Sequence, residues 1–262
     1  MSSDAILLIG REARNARDVL GAHADRLAGR GVADAVEVAT YERDPVRELR
    51  DPFERRSPDT VYAVPMCAAH THETLADVPA ALSRVSGDVH YCEPPGGSPA
   101  VTEVIAEQGA TRIPASDDVS LVLVGFGSSS KPHHRRTANY HATRLRERSD
   151  YGEVLTCYLL QNPAVECARY NATNDRVVAV PLFLTRTEAT EVRIPAELEL
   201  GRGGVAYADP LGAHPRITDA VHAEVAKQRA LARDVAPPDS FDARLPRTRR
   251  PVATDGEGVP RR

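Results

Sequence analysis

Two histidines and a glutamate stand together in His70-Thr71-His72-Glu73. Neutral imidazole and carboxylate are suitable ligands for cobalt, nickel or iron(II). Either group can also accept a proton that an incoming metal displaces. His70, His72 and Glu73 are therefore candidate metal ligands and candidate catalytic groups. In an extended loop His70 and His72 would point to one side. The competing explanation is that histidines in a polar loop are simply solvated. The segment follows an apolar run at 61–64 and precedes Pro79, which marks a helix entry at Ala80. Apolar strand, polar loop and helix is the order by which open α/β sheets place chemistry at the carboxyl ends of their strands.

A second group of residues suits anions. Arg11 and Arg14 follow the first apolar run, and Ser128, Ser129, Lys131, Arg135 and Arg136 follow the run at 119–124. Both sets place cations at the start of a helix, whose amino end is already partly positive. An anionic ligand would relieve that conflict, and Arg forks match carboxylates in shape. Pairing with surface acids such as Glu12 or Asp18 is the alternative. A nucleotide is not indicated, because no GxxxxGK[ST] occurs. His23 and His141 fall in the middle of helical stretches beside Ala and Leu, which suggests buried structural roles.

The elements that must hold these residues occur twice. The stretch TVYAVPMCAAHTHETLADVP from Thr60 is echoed by RVVAVPLFLTRTEATEVRIP from Arg176. Pro65 to Pro79 and Pro181 to Pro195 both span 14 positions (79 minus 65, 195 minus 181). HADRL at His23 pairs with HATRL at His141, and YCEPPGGSPAVTEVI at Tyr91 pairs with YADPLGAHPRITDAV at Tyr207. The offsets are 118 (141 minus 23) and 116 (207 minus 91), a drift small enough to mark an internal duplication. Each copy reads as four short apolar strands separated by helices. The expected fold class is α/β: two similar doubly wound parallel-sheet halves, 1–116 and 117–232, with a cleft between their strands' carboxyl ends. Residues 233–262 are rich in Pro, Arg and Asp and read as a disordered tail.

Bulk properties narrow the function. With 262 residues and 42% hydrophobic content the chain can bury a substantial core. A net charge of -4 argues against a general nucleic-acid binder. The four cysteines form no CxxC, so a zinc ribbon or thioredoxin-type site is disfavoured and no iron–sulfur cluster is expected. The amino terminus, MSSDAILLIGREAR, has too short an apolar run for a signal peptide or membrane span, so a cytoplasmic protein without membrane partners is expected.

The strand–loop motifs resemble those of the class II tetrapyrrole chelatases, the family of sirohydrochlorin cobaltochelatase and its ferrochelatase and nickel-chelatase relatives. LVLVGFGSS, from Leu121, resembles the family's apolar run followed by Gly-His-Gly-Ser. VVAVPLFLTRTEATEVRIP resembles its VVVPLFL, spacer, His, and Asp-Ile-Pro. The likeness runs from about residue 5 to 228. It implies insertion of a divalent metal, cobalt first and iron or nickel as alternatives, into an anionic sirohydrochlorin-like tetrapyrrole, as in cobalamin or sirohaem synthesis, with no organic cofactor. It also implies a monomer, since two fused halves supply one cleft, working beside other enzymes of its pathway. The family's metal-facing histidines fall here on Arg11 and Phe126 after the first strand of each half, and on Glu73 and Ala189 in the later loop. His72 and Glu188 lie one residue out of register, and His133 and His134 follow the serine run. The full set of candidate metal ligands is thus His70, His72, Glu73, His133, His134 and Glu188. A catalytically degenerate carrier of metal or tetrapyrrole is the alternative function.

Overall fold

The computed structural model describes residues 3–50, 53 and 58–234. The first half forms β1 (Asp4–Arg11), β2 (Ala35–Tyr41), β3 (Thr60–Pro65) and β4 (Asp88–Tyr91). The second forms β5 (Val119–Gly125), β6 (Glu153–Tyr158), β7 (Arg176–Pro181) and β8 (Val205–Tyr207). Both sheets are wholly parallel, with orders β2-β1-β3-β4 and β6-β5-β7-β8. The expected pair of doubly wound α/β halves is therefore present. The strand order reverses beside β1 and β5, which opens a crevice at their carboxyl ends.

The helices are α1 (Ala16–Gly29), α2 (Pro45–Glu48), α3 (Val78–Leu82), α4 (Pro99–Ala110), α5 (His133–Arg148), α6 (Ala168–Asn171), α7 (Ile194–Glu197) and α8 (Pro215–Asp234). Alternate residues of each central strand enter different cores, as the two-residue period requires. Leu7, Ile9, Val61 and Ala63 pack outward with Leu49 and Leu82. Val122, Val124, Val177 and Ala179 pack outward with Ile194 and Leu198. Ile6, Leu8, Leu121, Leu123, Val178 and Val180 face inward and share one core with helical residues Leu20, Val104, Leu145 and Val221.

That shared core has an exchanged element in each direction. Helix α4, which follows β4 of the first half, packs against β7 and α5 of the second. Helix α8, which follows β8, packs against β3 and α1 of the first. Arg229 of α8 lies over the Tyr62 ring at 5.1 Å and donates to the Val32 carbonyl at 2.6 Å. Two buried histidines fasten the exchange. His23 on α1 meets Thr218 Oγ1 at 2.8 Å and the Gly212 carbonyl at 3.3 Å. His141 on α5 meets Thr102 Oγ1 at 2.9 Å and the Gly96 carbonyl at 2.7 Å. The structural roles expected for both histidines are what the fold displays.

Two boundaries differ from the sequence expectation. The last helix runs through Asp234, and the proposed tail lies, from residue 235, outside the described residues. The helix entries at Pro79 and Pro195 are preceded by π-helical turns, Glu73–Asp77 and Ala189–Arg193. A π turn would bond each proline to the carbonyl five residues earlier, Thr74 or Thr190, but proline has no N–H to give. The Tyr91 hydroxyl donates to the Thr74 carbonyl at 2.6 Å, and the Tyr207 hydroxyl to the Thr190 carbonyl at 3.0 Å. The duplicated tyrosines thus supply the bond that the duplicated prolines omit.

Candidate metal and anion site between the two halves

The loops at the carboxyl ends of both sheets enclose a cleft of about 860 Å³, at the upper end of the range for small-molecule sites. Each later loop is locked by the same device. Thr71 N donates to Thr74 Oγ1 at 2.9 Å, and Thr187 N to Thr190 Oγ1 at 2.9 Å. The sequence carried this signal as a repeated Thr-x-x-Thr that the histidines overshadowed. Gly96 presses on the first loop so closely that a Cβ would lie 2.2 Å from the Ala68 carbonyl oxygen. Only glycine fits that contact.

Both halves line the cleft with charged residues, and the second adds an aromatic patch. The second half contributes Phe126, Leu182, Phe183 and Leu184, with the two phenylalanine rings edge to face at 6.4 Å. The first half contributes Arg11, Glu73, Tyr41 and Cys67. Arg11 reaches Glu73 across 3.6 Å, and its Nε donates to the Glu42 carbonyl at 3.1 Å. Burial, reinforced by the Glu73 charge, raises the Tyr41 pKa. Burial pushes the Cys67 thiol up to about 12, with the Glu73 carboxylate adding to the shift. The rim carries Arg14, Arg43, Arg186 and Arg193.

The expected site residues divide between the cleft and its flank. Arg11, Arg14, Glu73, His134 and Glu188 line the cleft. His134 stands 6.1 Å from the Phe126 ring, and burial brings its pKa down to about 4, which leaves it neutral at pH 7. His70, His72, His133, Ser128, Ser129, Lys131, Arg135 and Arg136 do not line it. His70 is turned inward, with Nδ1 3.2 Å from Thr74 Oγ1 and Nε2 3.0 Å from Glu93 Oε2. Both ring nitrogens are engaged, so the pairing of His70 and His72 as joint ligands gives way to a brace. His72 meets Lys131 Nζ at 3.2 Å, and His133 lies edge-on to His70 at 5.8 Å. Ser128 is held within its own turn through Lys131 N at 3.1 Å, and Arg135 caps the Asn162 carbonyl at 2.8 Å. These contacts form a histidine-rich seam between the halves. The equivalent seam opposite is arginine-rich: Arg186 N donates to Asn15 Oδ1 at 2.7 Å, and Arg14 approaches Glu191 at 4.0 Å. Among the described residues no three His, Cys, Asp or Glu side chains gather in a group that could hold a metal ion.

Sequence reading missed Tyr41, Cys67, Phe183, Arg43, Arg186 and Arg193 as cleft residues. Only the duplication could have found several of them: Cys67 and Phe183 are equivalent by position (183 minus 67 is 116), as are His70 and Arg186.

Comparison with known proteins gives concordant relatives. Residues 120–228 match the CbiX family model. A probable sirohydrochlorin cobaltochelatase from Halobacterium salinarum is 26% identical over 202 residues, which are 67% of this chain and 68% of that protein. The fold is similar to that of SirB from Bacillus subtilis with Fe3+, at a TM-score of 0.70 and 19% identity over 89% of this chain and 98% of SirB. It is equally similar, at a TM-score of 0.70 and 21% identity, to a multi-domain Deinococcus radiodurans protein with structural similarity to chelatases. The match takes in 87% of this chain but only 56% of the Deinococcus protein's length. No helix among the described residues is long and apolar enough to cross a membrane.

Proposed function

From its resemblance to the class II tetrapyrrole chelatases in sequence and fold, we propose that this chain is a lyase-type metal chelatase that inserts a divalent metal into a sirohydrochlorin-type tetrapyrrole. The observation that carries this reading is a cleft that joins an apolar, aromatic patch, Phe126, Leu182, Phe183 and Leu184, to Glu73 and the arginines Arg11, Arg14, Arg43, Arg186 and Arg193. A tetrapyrrole is a flat apolar ring fringed by carboxylates. The ring face suits Phe126, Phe183 and Leu184, and the carboxylates suit Arg11, Arg14, Arg43, Arg186 and Arg193. Insertion forms four metal–nitrogen bonds and releases two pyrrole protons. In this reading Glu73 accepts one, and the neutral imidazole of His134, on the opposite half, the other. Cobalt is the first metal to try, on the strength of the Halobacterium relative's name, and iron(II) the second, since SirB has been seen with iron. Cytoplasmic action as a monomer, beside other enzymes of a cobalamin or sirohaem route, goes with this reading.

The test is metal insertion into sirohydrochlorin, followed by visible absorbance, with cobalt, nickel and iron(II) offered separately. Wild-type turnover should exceed the spontaneous rate, and Glu73→Gln should lose about a hundredfold or more. His72→Ala should stay within about twofold of wild type. A second reading, a tetrapyrrole carrier, is favoured by the absence of histidine at all four in-register positions. Tight macrocycle binding with no turnover for any of the three metals would overturn the enzyme and select the carrier.

A further inference from the structure

Arg11 and Glu73 form an ion pair at the floor of the cleft that neither the fold nor its stability requires. The equivalent positions of the second half are Phe126 and Ala189, and the same strand, π turn and helix form there without a charge at either position. The pair is 3.6 Å long, with the arginine side chain 60% and the glutamate 25% exposed. Ion pairs so open to solvent add little to folding.

The two partners differ in freedom. Glu73 opens a π turn, and its backbone carbonyl accepts from Val78 N, which fixes the backbone that carries it. Arg11 is a long, exposed side chain at the end of β1, tied at Nε to one carbonyl. The pair therefore opens by movement of Arg11. Its guanidinium faces the same cleft as Arg14 and Arg43, and a carboxylate arriving there can engage it through two parallel hydrogen bonds.

We propose that Arg11 is a latch: it masks Glu73 until a carboxylate of the anionic ligand draws the guanidinium away, and the Glu73 carboxylate then receives the divalent cation. This rests on the chelatase reading of the cleft and adds an order to it, anionic macrocycle before metal. The sparse ligand set fits the task. A metal that must be handed on is better held by one or two protein groups, with water and then pyrrole nitrogens completing its shell, than by a closed cage.

The experiment is titration of the intact protein with Co2+ alone, by calorimetry and by the visible cobalt absorption, without macrocycle. Arg11→Gln should bind Co2+ about tenfold more tightly than wild type. Arg11→Lys, which keeps the charge, should stay near wild type, and Arg11→Gln/Glu73→Gln should lose the gain. An Arg11→Gln affinity within twofold of wild type, or a gain that survives loss of Glu73, would overturn the latch. Because this readout needs no turnover, it fails independently of the insertion assay. In rapid mixing, wild type preloaded with sirohydrochlorin should capture Co2+ faster than wild type preloaded with Co2+ captures sirohydrochlorin, and Arg11→Gln should abolish the difference.

Discussion

His70 and Arg186 occupy equivalent positions, 116 apart (186 minus 70), and each meets an acid that follows the last strand of its half. His70 bonds Glu93 at 3.0 Å, and Arg186 bonds Asp209 at 3.0 Å. Glu93 and Asp209 are again 116 apart (209 minus 93). One half thus uses an imidazole where the other uses a guanidinium, for the same brace. The His70 contact draws the Glu93 carboxyl below its usual range. His70→Ala should leave Thr74 and Glu93 short of a partner and cost about 2 kcal/mol. For a chain of this size that lowers the melting temperature by roughly 4–8 °C, readable by scanning calorimetry, while His72→Ala leaves it unchanged. Of the three loop residues the sequence singled out, Glu73 lines the cleft and His70 turns inward. A loop has no strand period, and nothing local says which of its sides faces the core. Cys67 and Tyr41 were invisible for a related reason: an apolar-looking residue at a strand end gains a role only from what the fold brings opposite it.

At the scale of elements, the strands were legible to within a residue or two, since continuous apolar runs ended by Gly or Pro leave few alternatives. The π turns were not. Pro79 and Pro195 signal a first helical turn, and a turn of wider pitch before them has no period of its own in the sequence. The Tyr91 and Tyr207 hydroxyls provide a matched test. Removing either, as Tyr91→Phe or Tyr207→Phe, leaves a carbonyl unpaired and should cost about 1–2 kcal/mol in urea unfolding. The functional outcomes should part. The turn behind Tyr91 carries Glu73, so Tyr91→Phe should also slow metal insertion by several fold. The turn behind Tyr207 carries Ala189, so Tyr207→Phe should leave insertion unchanged.

The whole molecule is held by its exchanged helices and the two histidines that fasten them. Each imidazole is neutral in function: Nε2–H donates to a glycine carbonyl, and Nδ1 accepts from a threonine hydroxyl. Burial drives the His23 pKa down to about 4, with Arg26 and His214 adding to the shift, and lowers His141, with Arg144 adding. The unfolded chain takes up protons near the ordinary value of 6.5, whereas the folded chain resists until about pH 4. The stabilising contribution is therefore complete above pH 6.5 and is lost as pH falls toward 4. His23 alone accounts for about 3 kcal/mol over that window. Urea unfolding at pH 7.5 and 4.5 should show this loss, and His23→Gln, though less stable at neutral pH, should show a smaller one.

Fusion of the two halves has a consequence for how such a cleft can change over generations. Two identical subunits around a two-fold axis must accept every substitution twice, once on each side of the bound ligand. A charge that helps on one wall then intrudes on the other. Here a single chain supplies both walls, so Arg11 and Glu73 could arise on one side while Phe126 and Ala189 arose on the other. Duplication released the site from its own symmetry, and the remaining symmetry survives where it still serves: in the threonine locks, the tyrosine repairs and the histidine fasteners.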